Sequence, residues 1–198
     1  MNTIIDACAK SGRADEATRW FQALQAARLE PDHISYTSMV NAFATSSQPA
    51  GAASWAAKME DAGFKPTEIT YNSIMDSFAR TGRPRDAIAT LGRMESASIA
   101  PSKISYDMVI HACAKAALAT QALVWLGKMA SDKCRPDHAS YGSAINACAG
   151  GGRPGDAARL LGEMELAGVA PNIAVYTGVI QACTRARRTS EALGWLRR

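Results

Sequence analysis

The tyrosines of this chain fall on a single ruler. All five, Tyr36, Tyr71, Tyr106, Tyr141 and Tyr176, stand 35 residues apart without exception. Pro31, Pro66, Pro101, Pro136 and Pro171 keep the same step, as do Met59, Met94, Met129 and Met164, with Leu24 in the earlier slot. Ala17, Ala52, Ala87, Ala122, Ala157 and Ala192 give six copies of one small position. An ungapped period shared by several residue types restricts the chain to a repeat architecture, in which each unit buries its apolar face against its neighbours. Counted from the second residue after each Pro, the complete units are 33–67, 68–102, 103–137 and 138–172, with partial units 1–32 and 173–198 at the ends. The whole chain, 1–198, is therefore expected to be one array. Both ends fall inside a unit, where an array would carry capping repeats, so the expectation is a piece of a longer protein.

Each unit reads as a helical hairpin. In 68–102, Ile69, Ile74, Met75 and Phe78 recur at helical rather than alternating spacing. A turn follows at Thr81–Gly82–Arg83, where Gly suits the position just past a helix end. Pro84 then fits the first turn of a second helix, as do Pro49 and Pro154 in their units. Asp86, Asp156 and Glu191 fall near the same start, where a carboxylate complements the helix dipole. Ala87, Leu91 and Met94 line one face of that helix, which ends before Pro101. The predicted fold class is all-α, a solenoid of 35-residue helix–turn–helix repeats.

Composition and motifs exclude several function classes. With 47% apolar and 20% charged residues, the chain can bury enough surface to stay ordered. A net charge of +4 permits a polyanionic partner without requiring one. No run approaches the length of a membrane-spanning helix, and the opening MNTIIDACAK lacks the basic and apolar regions of a secretory signal. Cys8, Cys113, Cys148 and Cys183 share the eleventh place of the unit with Phe43 and Phe78, which marks a buried apolar slot rather than a metal or redox centre. Cys134 stands alone. Trp20, Trp55, Trp125 and Trp195 share a second-helix slot with Thr90 and Leu160, so they are expected to pack rather than to form a stacking platform. His33 and His138 recur at the first place and His111 lies on a first helix, without converging partners. No H-x-E with P-C-x-x-C appears, and Gly150–Gly151–Gly152 sits at an inter-helix turn with no strand before it. No catalytic residue, metal or cofactor is expected.

Which solenoid this is follows from the unit signature. A tetratricopeptide repeat has 34 residues and a different pattern. The segments ITYNSIMDSFARTGRPRDAIATLGRMESASIAPS, HISYTSMVNAFATS and the opening NTIIDACAKSGRADEATRWFQALQAARLEPD resemble the pentatricopeptide repeat along the whole chain. The uniform unit length is similar to the P-type class. The resemblance implies a right-handed superhelix that binds single-stranded RNA, with one base per repeat read by two or three side chains. It implies base-edge contact by the fifth and last residues of each unit. The fifth places hold Asn2, Thr37, Asn72, Asp107, Gly142 and Thr177; the last places hold Asp32, Thr67, Ser102, Asp137 and Asn172. Asn2 with Asp32 is similar to family pairs that favour uracil, and Asn72 with Ser102 to pairs that favour cytosine. The second residue of a unit would sandwich the base: Ile34, Ile69, Ile104, Ala139 and Ala174. The two alanines offer little surface, so binding is expected to weaken toward the C-terminal units.

Phosphates require cations, and the thirteenth place supplies Lys10, Arg80, Lys115 and Arg185, with Thr45 and Gly150 as gaps. Arg13, Arg83, Arg153 and Arg188 follow three residues later and extend the basic row. The resemblance implies a role in organellar RNA stability, processing, transcription or translation, in mitochondrion or chloroplast. The competing expectation is a scaffold subunit of an organellar ribonucleoprotein or other assembly that binds mainly protein. Asp107 with Asp137, Thr37 with Thr67, and Gly142 favour it, because they fit base reading poorly.

Overall fold

In the computed structural model, residues 2–196 are described. They form twelve α-helices: α1 (Asn2–Lys10), α2 (Ala14–Ala26), α3 (His33–Thr45), α4 (Pro49–Asp61), α5 (Glu68–Arg80), α6 (Pro84–Ser96), α7 (Lys103–Lys115), α8 (Ala119–Ser131), α9 (His138–Gly150), α10 (Pro154–Leu166), α11 (Ile173–Arg185) and α12 (Thr189–Leu196). Odd-numbered helices open a repeat and even-numbered helices follow. The helix starts at Pro49, Pro84 and Pro154 are those predicted from the sequence, and Asp86, Asp156 and Glu191 lie in first turns.

The chain divides into two compact bodies, one of residues up to Phe78 with Asp86–Ala100, the other of Ala79–Arg85 with Pro101 onward. In the first body α1 packs on α2 and on α3, and α3 packs on α4. In the second body α7, α9 and α11 stack in succession, each also packed on the helix that follows it. This layering follows from the repeated small and apolar places. Ala17, Ala52, Ala87, Ala122 and Ala157 are fully buried, which lets neighbouring helix backbones approach closely. Met59, Met94, Met129 and Met164 are likewise fully buried.

The turns are as regular as the helices. Both the link within a repeat and the link to the next one pass through a left-handed residue. Gly12, Ser47, Gly82, Ala117, Gly152 and Arg187 serve the first link, with φ between 55° and 66°. Arg28, Gly63, Ser98, Lys133 and Gly168 serve the second, with φ between 57° and 83°. From Pro101 onward the amide after each left-handed residue closes back on the helix it leaves, as with Arg153 N–H on Cys148 O at 2.9 Å.

Candidate nucleic-acid interface

The second place of the repeat is solvent-facing in each of the five units that include it. Ile34, Ile69 and Ile104 are 59%, 68% and 52% exposed, and Ala139 and Ala174 are exposed as well. A branched aliphatic residue that recurs at a fixed step without being buried is not a core position. Its neighbours one place on, Ser35, Thr70, Ser105 and Ser140, are fully buried, so each first helix turns its isoleucine outward just after its start.

The last place has a structural duty that the sequence reading missed. Asp32, Ser102, Asp137 and Asn172 occupy the N-caps of α3, α7, α9 and α11, and Thr67 directly precedes α5. Asp32 accepts from Ser35 N at 2.8 Å, and Asn172 from Val175 N at 3.1 Å. Asp137 accepts from Ala139 N at 2.9 Å and from Ser140 N at 3.2 Å. The hydroxyl at the third place returns the favour, accepting the cap's own amide at Ser35, Thr70, Ser105 and Ser140 over 3.2–3.3 Å. Asp, Thr, Ser and Asn are the residue types that N-caps favour, so polar variation at this place does not by itself mark base reading.

Two fifth–last pairs are brought together within one body. Asn2 Nδ2 donates to both oxygens of Asp32, at 2.9 and 3.0 Å, and Asn2 Oδ1 lies 2.8 Å from Ser35 Oγ. The amide is thereby fixed in one orientation, leaving one N–H and one lone pair uncommitted. The Ser35 backbone amide, together with the Ser35 hydroxyl and the Asn2 amide, holds the Asp32 carboxyl below its usual range despite some burial. In the repeat 103–137, Asp107 and Asp137 are joined through Lys103 Nζ, at 2.9 and 2.6 Å, and Asp107 also accepts from Ser140 Oγ at 2.5 Å. Burial opposes ionisation of Asp137, but Lys103 and the Ser140 and Ala139 amides outweigh it and lower its pKa.

The remaining fifth-place residues behave differently. Thr37 and Thr177 donate their hydroxyl protons to the carbonyls of His33 and Ile173, at 2.8 and 2.7 Å, so only their lone pairs and methyls face outward. Thr67 pairs instead with Thr70, its hydroxyl 3.3 Å from that of Thr70. Asn72 donates to Glu68 on its own helix at 3.4 Å. Gly142 has open space where a side chain would project.

Lys10, Arg80, Lys115 and Arg185 are all exposed at the ends of their first helices. Lys10 pairs with Asp6 at 2.7 Å, and Arg185 Nη1 donates to Gly150 O, the last residue of α9, at 2.8 Å. The second arginine row is occupied locally. Arg13, Arg153 and Arg188 bridge Glu16, Asp156 and Glu191 three residues on, at 3.0, 2.7 and 3.3 Å. Where the sequence lacks the acid, at Gly51 and Gln121, it also lacks the arginine, with Gln48 and Leu118 instead. The row therefore has a local role at the helix starts, just as Lys10 has a local partner in Asp6.

The bland expectations hold for the cysteines. Cys8, Cys113, Cys148 and Cys183 are buried, and burial pushes the Cys113 and Cys148 thiols up to about 11. Among the tryptophans, Trp55 is buried between Phe21 and Tyr36, whereas Trp20 is 38% exposed, contrary to a uniform packing role. Phe21, from the preceding repeat, covers Trp55; no aromatic neighbour covers Trp20 among the described residues. No group of three or more His, Cys, Asp and Glu among the described residues is placed to hold a metal. No helix among them is long and apolar enough to cross a membrane.

Comparison with known families gives one consistent result. The model described as the PPR repeat family matches residues 1–45 and 66–115, that of the pentatricopeptide repeat domain matches 124–186, and that of the PPR repeat matches 34–64. A search of curated protein sequences returns no match. Among solved structures, the pentatricopeptide repeat protein PPR10 from maize superposes with a TM-score of 0.85 at 28% identity, over 98% of this chain and 28% of that one. The chain thus spans under a third of that relative's length. PPR10 in complex with an 18-nucleotide psaJ RNA element superposes with a TM-score of 0.65 at 19% identity, over 98% of this chain and 33% of that one. The PPR domain of Arabidopsis thaliana protein-only RNase P 1, in complex with tRNA, gives 0.67 at 12% identity over 80% and 83%. The last two likenesses are of fold.

Proposed function

The chain belongs to the pentatricopeptide repeat family, and from that premise we propose that it binds single-stranded RNA sequence-selectively, without catalysing a reaction. The observation that carries the proposal is the outward-facing isoleucine at Ile34, Ile69 and Ile104. A flat aliphatic face held in water at one place per repeat is suited to covering a base, and it serves no purpose in the core. On the same first helices stand the fifth-place residues, and the caps precede them. Asn2 with Asp32 offers an N–H and carboxylate lone pairs, which suits uracil. Lys10, Arg80, Lys115 and Arg185 supply exposed positive charge for phosphates. Thr37, Thr67, Asn72, Ser102, Asn172 and Thr177 are the further readers, with Gly142 supplying no side chain. Ala139 and Ala174 cover less of a base. The family supports a place in organellar RNA metabolism, in mitochondrion or chloroplast.

A salt titration against a panel of homopolymer RNAs tests this. The expected result is steep salt dependence with base preference, and a shallower slope with uniformly weaker binding when Lys10, Arg80, Lys115 and Arg185 are changed to Ala. No retention on any RNA would refute the proposal and leave the protein-binding scaffold standing.

A further inference from the structure

Lys103 has no counterpart in the array. The first place holds His33, Glu68, His138 and Ile173 in the other repeats that include it, and the fifth place holds a carboxylate only at Asp107. The structure joins these two departures in a direct ion pair. Beside them lies Ile104, the outward aliphatic residue of the same repeat. We propose that Lys103 is a specificity-determining residue which, with Asp107, makes the repeat 103–137 select guanine; this rests on the RNA-reading function proposed above.

The selection follows from which hydrogen-bonding groups are left over. Each carboxylate oxygen accepts two hydrogen bonds and the ammonium donates three. Asp107 Oδ1 takes the Ser140 hydroxyl and Oδ2 takes Lys103, so each oxygen keeps one acceptor site. Lys103 spends one proton on Asp107 and one on Asp137, and keeps its third. Asp137 Oδ1 is taken by the start of α9 and Oδ2 by Lys103, which leaves this residue one acceptor site and makes it chiefly the one that positions the lysine. The free set is two acceptors on Asp107 and one on Asp137, beside one donor on Lys103. Guanine presents two adjacent donors, N1–H and N2–H, next to one acceptor, O6, and matches the two Asp107 acceptors and the Lys103 donor. Uracil offers one donor between two acceptors. Cytosine and adenine set a ring-nitrogen lone pair against the carboxylate, which repels it. Loss of Lys103 removes the group facing O6 and leaves an uncompensated negative charge at the site.

The test uses the full chain as the parent protein, Lys103→Met, which keeps the stem without the charge, and Lys103→Arg, which keeps the charge. Selection from randomised RNA is followed by titrations with RNAs that differ at one nucleotide. The parent is expected to enrich guanine at one nucleotide, Lys103→Met to lose that preference roughly tenfold with the other nucleotides unchanged, and Lys103→Arg to retain most of it. A parent that selects bases elsewhere but not guanine here overturns the inference, as does a guanine preference that survives Lys103→Met. Failure of the parent to bind any RNA would instead overturn the RNA-reading function, an outcome distinct from both.

Discussion

Asp32 serves as the N-cap of α3 and as the partner of Asn2, and two substitutions separate those duties. Asp32→Ala removes both. Loss of the cap on Ser35 N costs about 1 kcal/mol. Loss of the exposed bonds from Asn2 adds about 0.5–1 kcal/mol. Asp32→Asn keeps the cap, because Asn caps about as well as Asp. Its one oxygen is then committed to Ser35, and its amide meets the Asn2 amide donor to donor. The stability cost should stay below about 1 kcal/mol. On RNA, however, an acceptor facing the base becomes a donor, and the preference for uracil at that nucleotide should fall by about 1 kcal/mol, roughly fivefold. Repeat arrays open locally, so hydrogen exchange at the first-turn amides of α3 is the right stability assay, alongside single-nucleotide titrations. The expected pattern is lost protection and lost preference for Asp32→Ala, but lost preference alone for Asp32→Asn. An unchanged base preference in both variants, with protection lost in Asp32→Ala, would show that Asp32 is a cap and nothing more.

Lys133 (φ 60°) and Gly168 (φ 75°) hold equivalent left-handed turns, and a Cβ on Gly168 would meet nothing within 4 Å; chemical denaturation should show Lys133→Gly stabilising by about 0.5–1 kcal/mol and Gly168→Ala destabilising by about 1 kcal/mol. Thiol labelling at pH 8 should modify partly exposed Cys134 well before Cys113 and Cys148, whose burial raises them to about 11; equal rates would refute their core placement. Asp32 and Asp137 sit below their ordinary value in the folded chain, so their contribution is fully present above about pH 4 and is lost as pH falls through the lower folded values. Lys103, raised chiefly by its bond to Asp137 and next by that to Asp107, loses its contribution only as pH rises above about 10.4. Melting curves should therefore decline at both extremes, and Lys103→Met should flatten the alkaline decline.

The period made the helices legible, because every start, turn and buried alanine recurs at one step. The exposed isoleucines were legible only as candidates, since a branched aliphatic residue near a helix start reads equally well as core. What stayed hidden were contacts between repeats. Ser35 meets Asn2 and Ser140 meets Asp107, each across 33 residues. Arg93 meets Glu60 and Arg153 meets Thr120 over the same separation. That offset is two short of the period, because stacking sets the third place of one repeat beside the fifth place of the repeat before it. Reading columns of equivalent places cannot reveal it. Lys103 was passed over for a related reason: it breaks its column, and attention to recurrence discards whatever does not recur. The arginines at 13, 153 and 188 show a recurrence that also has a local partner, an acid three residues on in each case.

On the proposed function, the capping duty of the last place also limits what a repeat can say. A cap must present one oxygen to the backbone amides of the helix it starts. Asp and Asn meet that demand with one atom and carry a second, an oxygen in Asp32 and an amide in Asn172, which the proposed function assigns to the base. The two differ as acceptor and donor, so the choice between them carries information at almost no cost to the helix. Ser and Thr have a single oxygen for both tasks. Thr67 accordingly shares its hydroxyl with Thr70, and Ser102 stands 3.4 Å from Ser105 Oγ in the same arrangement. Whatever those residues offer a base, they offer from a group already engaged in the turn. On the proposed function, discrimination in their repeats then falls mainly to the fifth place, where Thr37 and Asn72 cap no helix. In the repeat 103–137 the cap residue is engaged by both Lys103 and α9, and on the proposed function the same logic moves reading onto Asp107 and the lysine itself.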